Sequence, residues 1–443
     1  MSDSGFDPAV LSASEAARHI AAGDLSAEEL TRALLARIEA RSATVHAWVH
    51  LEPEAAIAAA RTCDKAEARG PLHGVPVAVK DIFDTADMPT RYGSPIYRDH
   101  QPTRDAVAVT RLKDAGAIVM GKSVTTEFAY FTPRETANPH NPGRTPGGSS
   151  SGSAAAVADG QVPAALGTQT SGSIIRPASF CGVFGLKPAY DDIPTDGVLP
   201  NAPSLDTVGI FARDIADLAL LFAVLAGRML PSHESVAVVD PSLPPRIGVF
   251  RTHLWDEADD AARAHFDATV AALANAGARL RDMAVPPGFE ALDEAHGTII
   301  AKEAAGVHDA HWREHRAELS DRLAALIEAG HAVEPAALAA AFETASRWRA
   351  SLPRLTEPGE ILLTLSTPGE APMGLASTGD PKFNRIWTLL HVPALHLPIG
   401  TGPAGLPMGI QLVAPTMDEA HLLDVGRWVV EELELTVKPI TAT

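Results

Sequence analysis

Two short glycine–serine passages hold the residues of this chain best suited to chemistry. The first is Thr145-Pro-Gly147-Gly148-Ser149-Ser150-Ser151-Gly152-Ser153, which runs straight into an alanine-rich segment. The second is Gly167-Thr-Gln169-Thr170-Ser171-Gly172-Ser173-Ile-Ile-Arg176-Pro177. A Gly-rich backbone ahead of a helix is a general anion site, so phosphate binding is the first chemistry to weigh. It fails, because a P-loop needs a Lys to reach the phosphates and none follows here. A flexible linker fails too, since apolar helix begins at once. The second passage suits chemistry at serine instead. Strand, tight turn and Pro177 in a first helical turn place Ser173 at an exposed backbone corner, and Gly172 permits close approach of a substrate. The N–H groups of Thr170, Ser171, Gly172 and Ser173 converge ahead of that corner, a geometry suited to an oxyanion.

A serine hydroxyl is a poor nucleophile until a base takes its proton. None of the chain's 17 His falls in a motif that marks it as that base. Lysine can serve where burial disfavours the ammonium form. Lys80 closes the apolar run Val75-Pro-Val-Ala-Val79, where such burial is expected.

The two passages, with Gly74-Val-Pro-Val-Ala-Val-Lys80-Asp81 upstream, resemble the amidase signature family, with three motifs in family order. Weaker similarity runs from the N-terminal helices to the 393–411 stretch. The Gly-Ser-x-Ile-Arg-Pro pattern looks closest to malonamidase-like bacterial members. The resemblance implies Ser173 as nucleophile, Ser149 in a cis peptide linkage as proton relay, and Lys80 as terminal base. An acyl-enzyme on Ser173 would follow, with Ser149 protonating the leaving nitrogen and the oxyanion held by the 170–173 backbone. Ser150 would orient Ser149 and Lys80; Gly147, Gly148 and Arg176 would support the triad or touch substrate. No metal and no cofactor is implied.

The chain also departs from the family pattern. Many members carry Asp at the position of Gln169, and an Arg two residues after the nucleophile. Arg176 lies three after Ser173, as in malonamidase-like relatives, where it can bind a substrate carboxylate through its bidentate fork. The alternative is a structural ion pair with an acid such as Asp191 or Asp206. Cys181 reads as a small buried apolar group, His140 and His391 as structural or solvent-facing, and Trp348 and Trp387 as core or pocket lining.

The elements that must position these residues alternate. Two capping boxes, Ser12 with Glu15 and Ser26 with Glu29, start N-terminal helices, and a third helix spans 53–69. A signature core follows over 70–230, with strands at 75–79, 117–120 and 162–166 and helices at 105–115, 151–158 and 214–226. After a strand at 246–250, residues 257–350 read as a helical insertion or cap. Strands return at 360–365, 396–399 and 409–413, and a helix closes the chain at 418–432. This predicts one α/β domain over 1–443, a mixed, largely parallel sheet sandwiched by helices with an additional helical layer. Segments 125–144, 290–348 and 368–383 are the candidate pocket walls, bringing Tyr130, Phe131, Met373 and Leu375.

Composition bounds the function. The chain has 443 residues, 46% hydrophobic and 21% charged, as a folded globular protein should. A formal charge of −19 repels phosphate backbones, which disfavours nucleic acid as a partner. No basic n-region precedes an apolar core at the N-terminus, and no apolar run reaches membrane-spanning length. The two cysteines fit a reducing cytosol. The expectation is a cytoplasmic hydrolase of C–N bonds acting on a small or aryl amide, carbamate or urea, with esters as a side activity and a homodimer left open. The rivals are an amidotransferase subunit that releases ammonia for a partner, and a non-catalytic scaffold of the same fold.

Overall fold

The computed structural model describes residues 7–228 and 244–440; the expected end of the core at residue 230 lies outside them. One sheet of eleven strands runs through the molecule. In chain order the strands are β1 (Trp48–Leu51), β2 (Pro76–Lys80), β3 (Ile118–Ser123), β4 (Ala164–Gln169), β5 (Phe184–Lys187) and β6 (Thr207–Ala212). The others are β7 (Arg246–Phe250), β8 (Arg279–Met283), β9 (Glu360–Leu365), β10 (Ala394–Thr401) and β11 (Pro407–Val413). Their spatial order is β1-β3-β2-β4-β6-β5-β10-β11-β9-β7-β8.

The sheet is mixed, as expected, but parallel pairing is confined to two wings. These are β3–β2–β4 and β9–β7–β8, and every other neighbour is antiparallel. Every residue of β2, β4, β6, β9 and β11 is buried. A strand buried on both faces needs a layer on each side, so helices sandwich the sheet.

The N-terminal helices begin where the sequence says. Ser12 and Ser26 each close a reciprocal capping box, with Glu15 and Glu29. The third helix stops at Cys63, short of the expected 69. Strands β1, β5, β6 and β8 escaped the sequence reading. β8 is the instructive case: Arg-Leu-Arg-Asp-Met lies inside the stretch read as purely helical. Three of its five side chains are charged, and as an edge strand paired only to β7 it needs no apolar face.

The parallel wing β3–β2–β4 positions the chemistry. Val79 pairs with Leu166, so β2 and β4 run side by side, and β4 continues past the end of β2 at Lys80 to Gln169. Ligands gather at the carboxyl ends of parallel strands. The passages around Ser149 and Ser173 both return to this edge.

The additional helical layer is built from helices Ala291–Val307, Asp321–Ala332 and Pro335–Ser351. Gly330 lets two of them touch: a Cβ there would stand 1.9 Å from the Ala301 carbonyl oxygen. Gly330→Ala should therefore force the pair apart and cost about 1–3 kcal/mol. A denaturation midpoint unchanged from the parent would contradict this packing.

Candidate active site

Lys80 is the most constrained charged side chain at the β2–β4 edge. It is 0% exposed, and its Nζ lies 2.8 Å from Ser149 Oγ and 2.6 Å from Thr168 Oγ1. No carboxylate pairs with it among the described residues. Burial drives its pKa well below the ordinary lysine range, and the more distant negative charge of Asp206 opposes this only in part. A neutral amine has one lone pair, so Nζ can accept the Ser149 proton while donating to Thr168 Oγ1. Thr168 was not foreseen. It lies beyond the strand expected at 162–166, and the continuation of β4 to Gln169 is what turns it toward Lys80.

Ser149 follows a cis Gly148–Ser149 peptide bond. Gly147 has φ of +83°, and a Cβ there would stand 2.7 Å from Pro177 Cα, so the loop needs glycine on both counts. The Gly148 carbonyl accepts Arg176 Nη2 at 2.6 Å. Ser150 bonds neither Ser149 nor Lys80, contrary to expectation. Its Oγ lies 3.2 Å from the carbonyl oxygen of Thr168 and 3.3 Å from its N–H. Ser150 therefore acts on Lys80 only through Thr168.

The loop ahead of Ser173 has its carbonyls tied back into the scaffold. Thr170 O bonds His296 Nε2 at 3.0 Å, Ser171 O accepts the Thr388 hydroxyl at 3.1 Å, and Gly172 O accepts Arg176 N–H at 3.0 Å. Burial pushes His296 down to about 4, so it is neutral and donates to Thr170 O. Gln169 Oε1 accepts the N–H groups of Ile174 and Ile175, which begins helix Ile175–Cys181 directly after the serine. The Thr170 hydroxyl donates to Asp206. Asp206 keeps part of its surface exposed, but enclosure of its carboxyl group pushes it up to about 6. With the carbonyls engaged, the N–H groups of Ser171, Gly172 and Ser173 meet no acceptor among the described residues.

Ser173 and Ser149 line one chamber with Thr170, Ser171, Arg176 and Asn201. Its water-accessible volume is about 10 Å³, far below the roughly 300–1,000 Å³ common for ligand pockets. No hydrogen bond joins Ser173 Oγ to Ser149 Oγ; such contacts commonly tighten only when substrate is engaged. Two larger surface clefts, of about 630 and 620 Å³, contain none of the three triad residues. The chemistry of the lining decides here, and size does not.

Arg176 is fully enclosed and pairs with neither Asp191 nor Asp206, which removes the two ion pairs suggested by sequence. Its Nη2 bonds Gly148 O and Thr378 Oγ1, and its guanidinium lies 5.4 Å from the Phe131 ring. Nε and Nη1 have no hydrogen-bond partner among the described residues. Burial lowers its pKa to about 9, so it is cationic at neutral pH.

All three nominated wall segments reach the chamber, through Ala129, Tyr130 and Phe131, through Ile300, and through Thr378. Met373 and Leu375 do not line it, and Met373 is 71% exposed. Trp348 and Trp387 pack around Phe289 in the core. Cys181 is buried, with Sγ against Pro146 O. His140 and His391 bond backbone carbonyls, of Cys181 and Ser204 respectively.

A depressed Lys80 gives activity a definite pH dependence. The ammonium form cannot accept a proton, so kcat/KM should rise as Lys80 deprotonates and level off below the ordinary lysine pKa of about 10.4. A limb still climbing at pH 10.5 would contradict the geometry. Lys80→Met should reduce kcat/KM by on the order of 10³-fold or more. In the unfolded chain Lys80 holds a proton that the fold excludes, so its burial lowers stability below its unfolded pKa. The variant should therefore melt at the same or a higher temperature at pH 7, and its advantage should shrink as pH nears 10.

Comparison with known proteins fits this geometry. A family model described as Amidase matches residues 29–423. A glutamyl-tRNA(Gln) amidotransferase subunit of Chloroflexus aurantiacus is 34% identical, over 92% of this chain and 93% of its own. The same subunit of Anaeromyxobacter sp. is 36% identical over 95% of each. Among solved structures, the peptide amidase of Stenotrophomonas maltophilia superposes with a TM-score of 0.83 at 28% identity, covering 98% of this chain and 99% of that one. A structure described as a vestigial protein complex revealing the origins of an s-triazine catabolic enzyme superposes with a TM-score of 0.87 at 30% identity, covering 96% and 99%. The chain belongs to the amidase family.

Proposed function

We propose that this enzyme hydrolyses the C–N bond of a small amide bearing an anionic group, with Ser173 as nucleophile, Ser149 as proton relay and Lys80 as base. The observation that carries this reading is the enclosed Lys80 amine, 2.8 Å from Ser149 Oγ in the chamber Ser173 shares. Lys80 takes the Ser149 proton as Ser149 takes that of Ser173, and Ser173 Oγ bonds to the amide carbon. The charge that develops on the carbonyl oxygen falls to the N–H groups of the 171–173 loop. Ser149 returns a proton to the nitrogen as the C–N bond breaks, leaving an acyl-enzyme. Water then repeats the sequence and frees the acid. Arg176, with Nε and Nη1 unclaimed, suits the anionic group.

Two readings differ in where the released ammonia goes. The curated relatives named above are amidotransferase subunits, matched over nearly their whole length. That favours a subunit releasing ammonia for a partner over a free-standing hydrolase, and we take it as the first reading. Gln169 and the three-residue step from Ser173 to Arg176 depart from many family members and speak for the free-standing enzyme, whose substrates would extend to carbamates and ureas. The enclosed amine beside Ser149 argues against a non-catalytic scaffold. The two free cysteines fit a reducing compartment.

The separating measurement is release of ammonia, amine or alcohol by the chain alone from carboxylate-bearing amides, neutral amides, carbamates, ureas and esters. Turnover of simple amides supports the free-standing enzyme. No turnover, with Ser173 still labelled by a fluorophosphonate, supports the partner-dependent reading. Absence of labelling that Ser173→Ala abolishes sinks both. Arg176→Ala should lower kcat/KM on carboxylate-bearing amides about tenfold or more beyond its effect on neutral ones; equal losses would mark Arg176 as structural.

A further inference from the structure

Among the polar side chains of the chamber that the mechanism does not use, Asn201 is distinguished by its bonding. Asn201 is 2% exposed and lines the chamber with Ser149, Ser173 and Arg176. Its backbone is held in place: its N–H donates to Asp206 Oδ2 at 2.8 Å, and that of Ala202 to the same oxygen at 3.0 Å. The other oxygen of Asp206 takes the Thr170 hydroxyl. One carboxylate therefore fixes Asn201 to the loop that carries Ser173.

The side chain is not satisfied in the same way. Asn201 Oδ1 is sealed from solvent and has no hydrogen-bond partner among the described residues. Buried polar atoms are nearly always paired, so an orphan needs an explanation. Packing alone would be served as well by leucine. Arg176 shows the complementary defect, two buried N–H donors without acceptors. The chamber thus presents one unclaimed acceptor, backed by the carboxylate of Asp206, and unclaimed donors on a cation. A ligand matching both carries a hydrogen-bond donor and an anion.

We propose that Asn201 is a specificity-determining residue whose Oδ1 accepts an N–H from the acyl part of the substrate. The preferred substrate is then an amide carrying an N–H donor in addition to the anionic group assigned to Arg176. This deepens the preceding reading and rests on it for the anion alone. Discrimination arises because a ligand with CH2 in place of the N–H leaves Oδ1 unpaired in the complex.

The test uses the full chain with Ser173→Ala, so that binding is read without turnover. Two ligand pairs are titrated: N-carbamoylglycine against succinamate, which differ by NH for CH2, and glutamine against glutaramate, which differ by the α-amino group. The N–H member of at least one pair should bind about tenfold or more tightly. Asn201→Leu should bring that ratio to within twofold, and Asn201→Asp, which keeps an acceptor, should preserve it. Asn201→Leu should melt no lower than its parent, which excludes a folding defect. Equal binding within both pairs, a preference that survives Asn201→Leu, or no binding of any of the four overturns the proposal. Arg176→Ala separates the two assignments: weaker binding of all four with the ratio retained supports both. Unchanged binding with the Asn201-dependent ratio retained overturns the anion reading alone.

Discussion

An amine cut off from water is the constraint on which the rest of this structure depends. Lys80 can be a base only while its ammonium form is disfavoured, and that requires every surrounding layer to be in place. β2 is buried along its whole length, β3 and β4 flank it, and Thr168 and Ser149 are the only groups Nζ touches by hydrogen bond among the described residues. An ion pair to Nζ would restore the charge and abolish the base. Asp206 marks that limit: its carboxyl group opposes the depression of Lys80 from a distance while spending its oxygens on Thr170, Asn201 and Ala202.

Around that amine the fold keeps polar groups that a simple core would exclude. Arg176 leaves two nitrogens unpaired, and Asn201 leaves an oxygen unpaired. Each such group costs about 1–3 kcal/mol. A sheet of eleven strands with both faces covered offsets this through apolar burial. Both residues line the chamber of the two serines, where stability is surrendered for function.

The additional helical layer is part of the machinery as well as a cover. His296 and Ile300 both lie on helix Ala291–Val307: the first bonds Thr170 O, the second lines the chamber. Burial keeps that imidazole neutral, and with its proton on Nε2 it donates to Thr170 O. The layer therefore both closes the chamber and holds the loop that carries Ser173.

Much of the site was written in the chain itself. Ser149, Ser173 and Lys80 stand in passages whose glycines, prolines and apolar runs dictate a turn, a helix start and a buried strand end. Local rules suffice for those, and the capping boxes at Ser12 and Ser26 are equally local. What the string could not fix was partnership across distance. Thr168, His296 and Asn201 look ordinary in sequence; sheet register and helix docking bring them to the chamber. Arg176 shows the difference most clearly. Its type and place were evident, but whether an acid claims it depends on which carboxylates the fold delivers within about 4 Å, and the fold sends Asp206 to Thr170 instead. Residue chemistry and local conformation are encoded over a few positions, whereas burial and pairing are properties of the assembled interior.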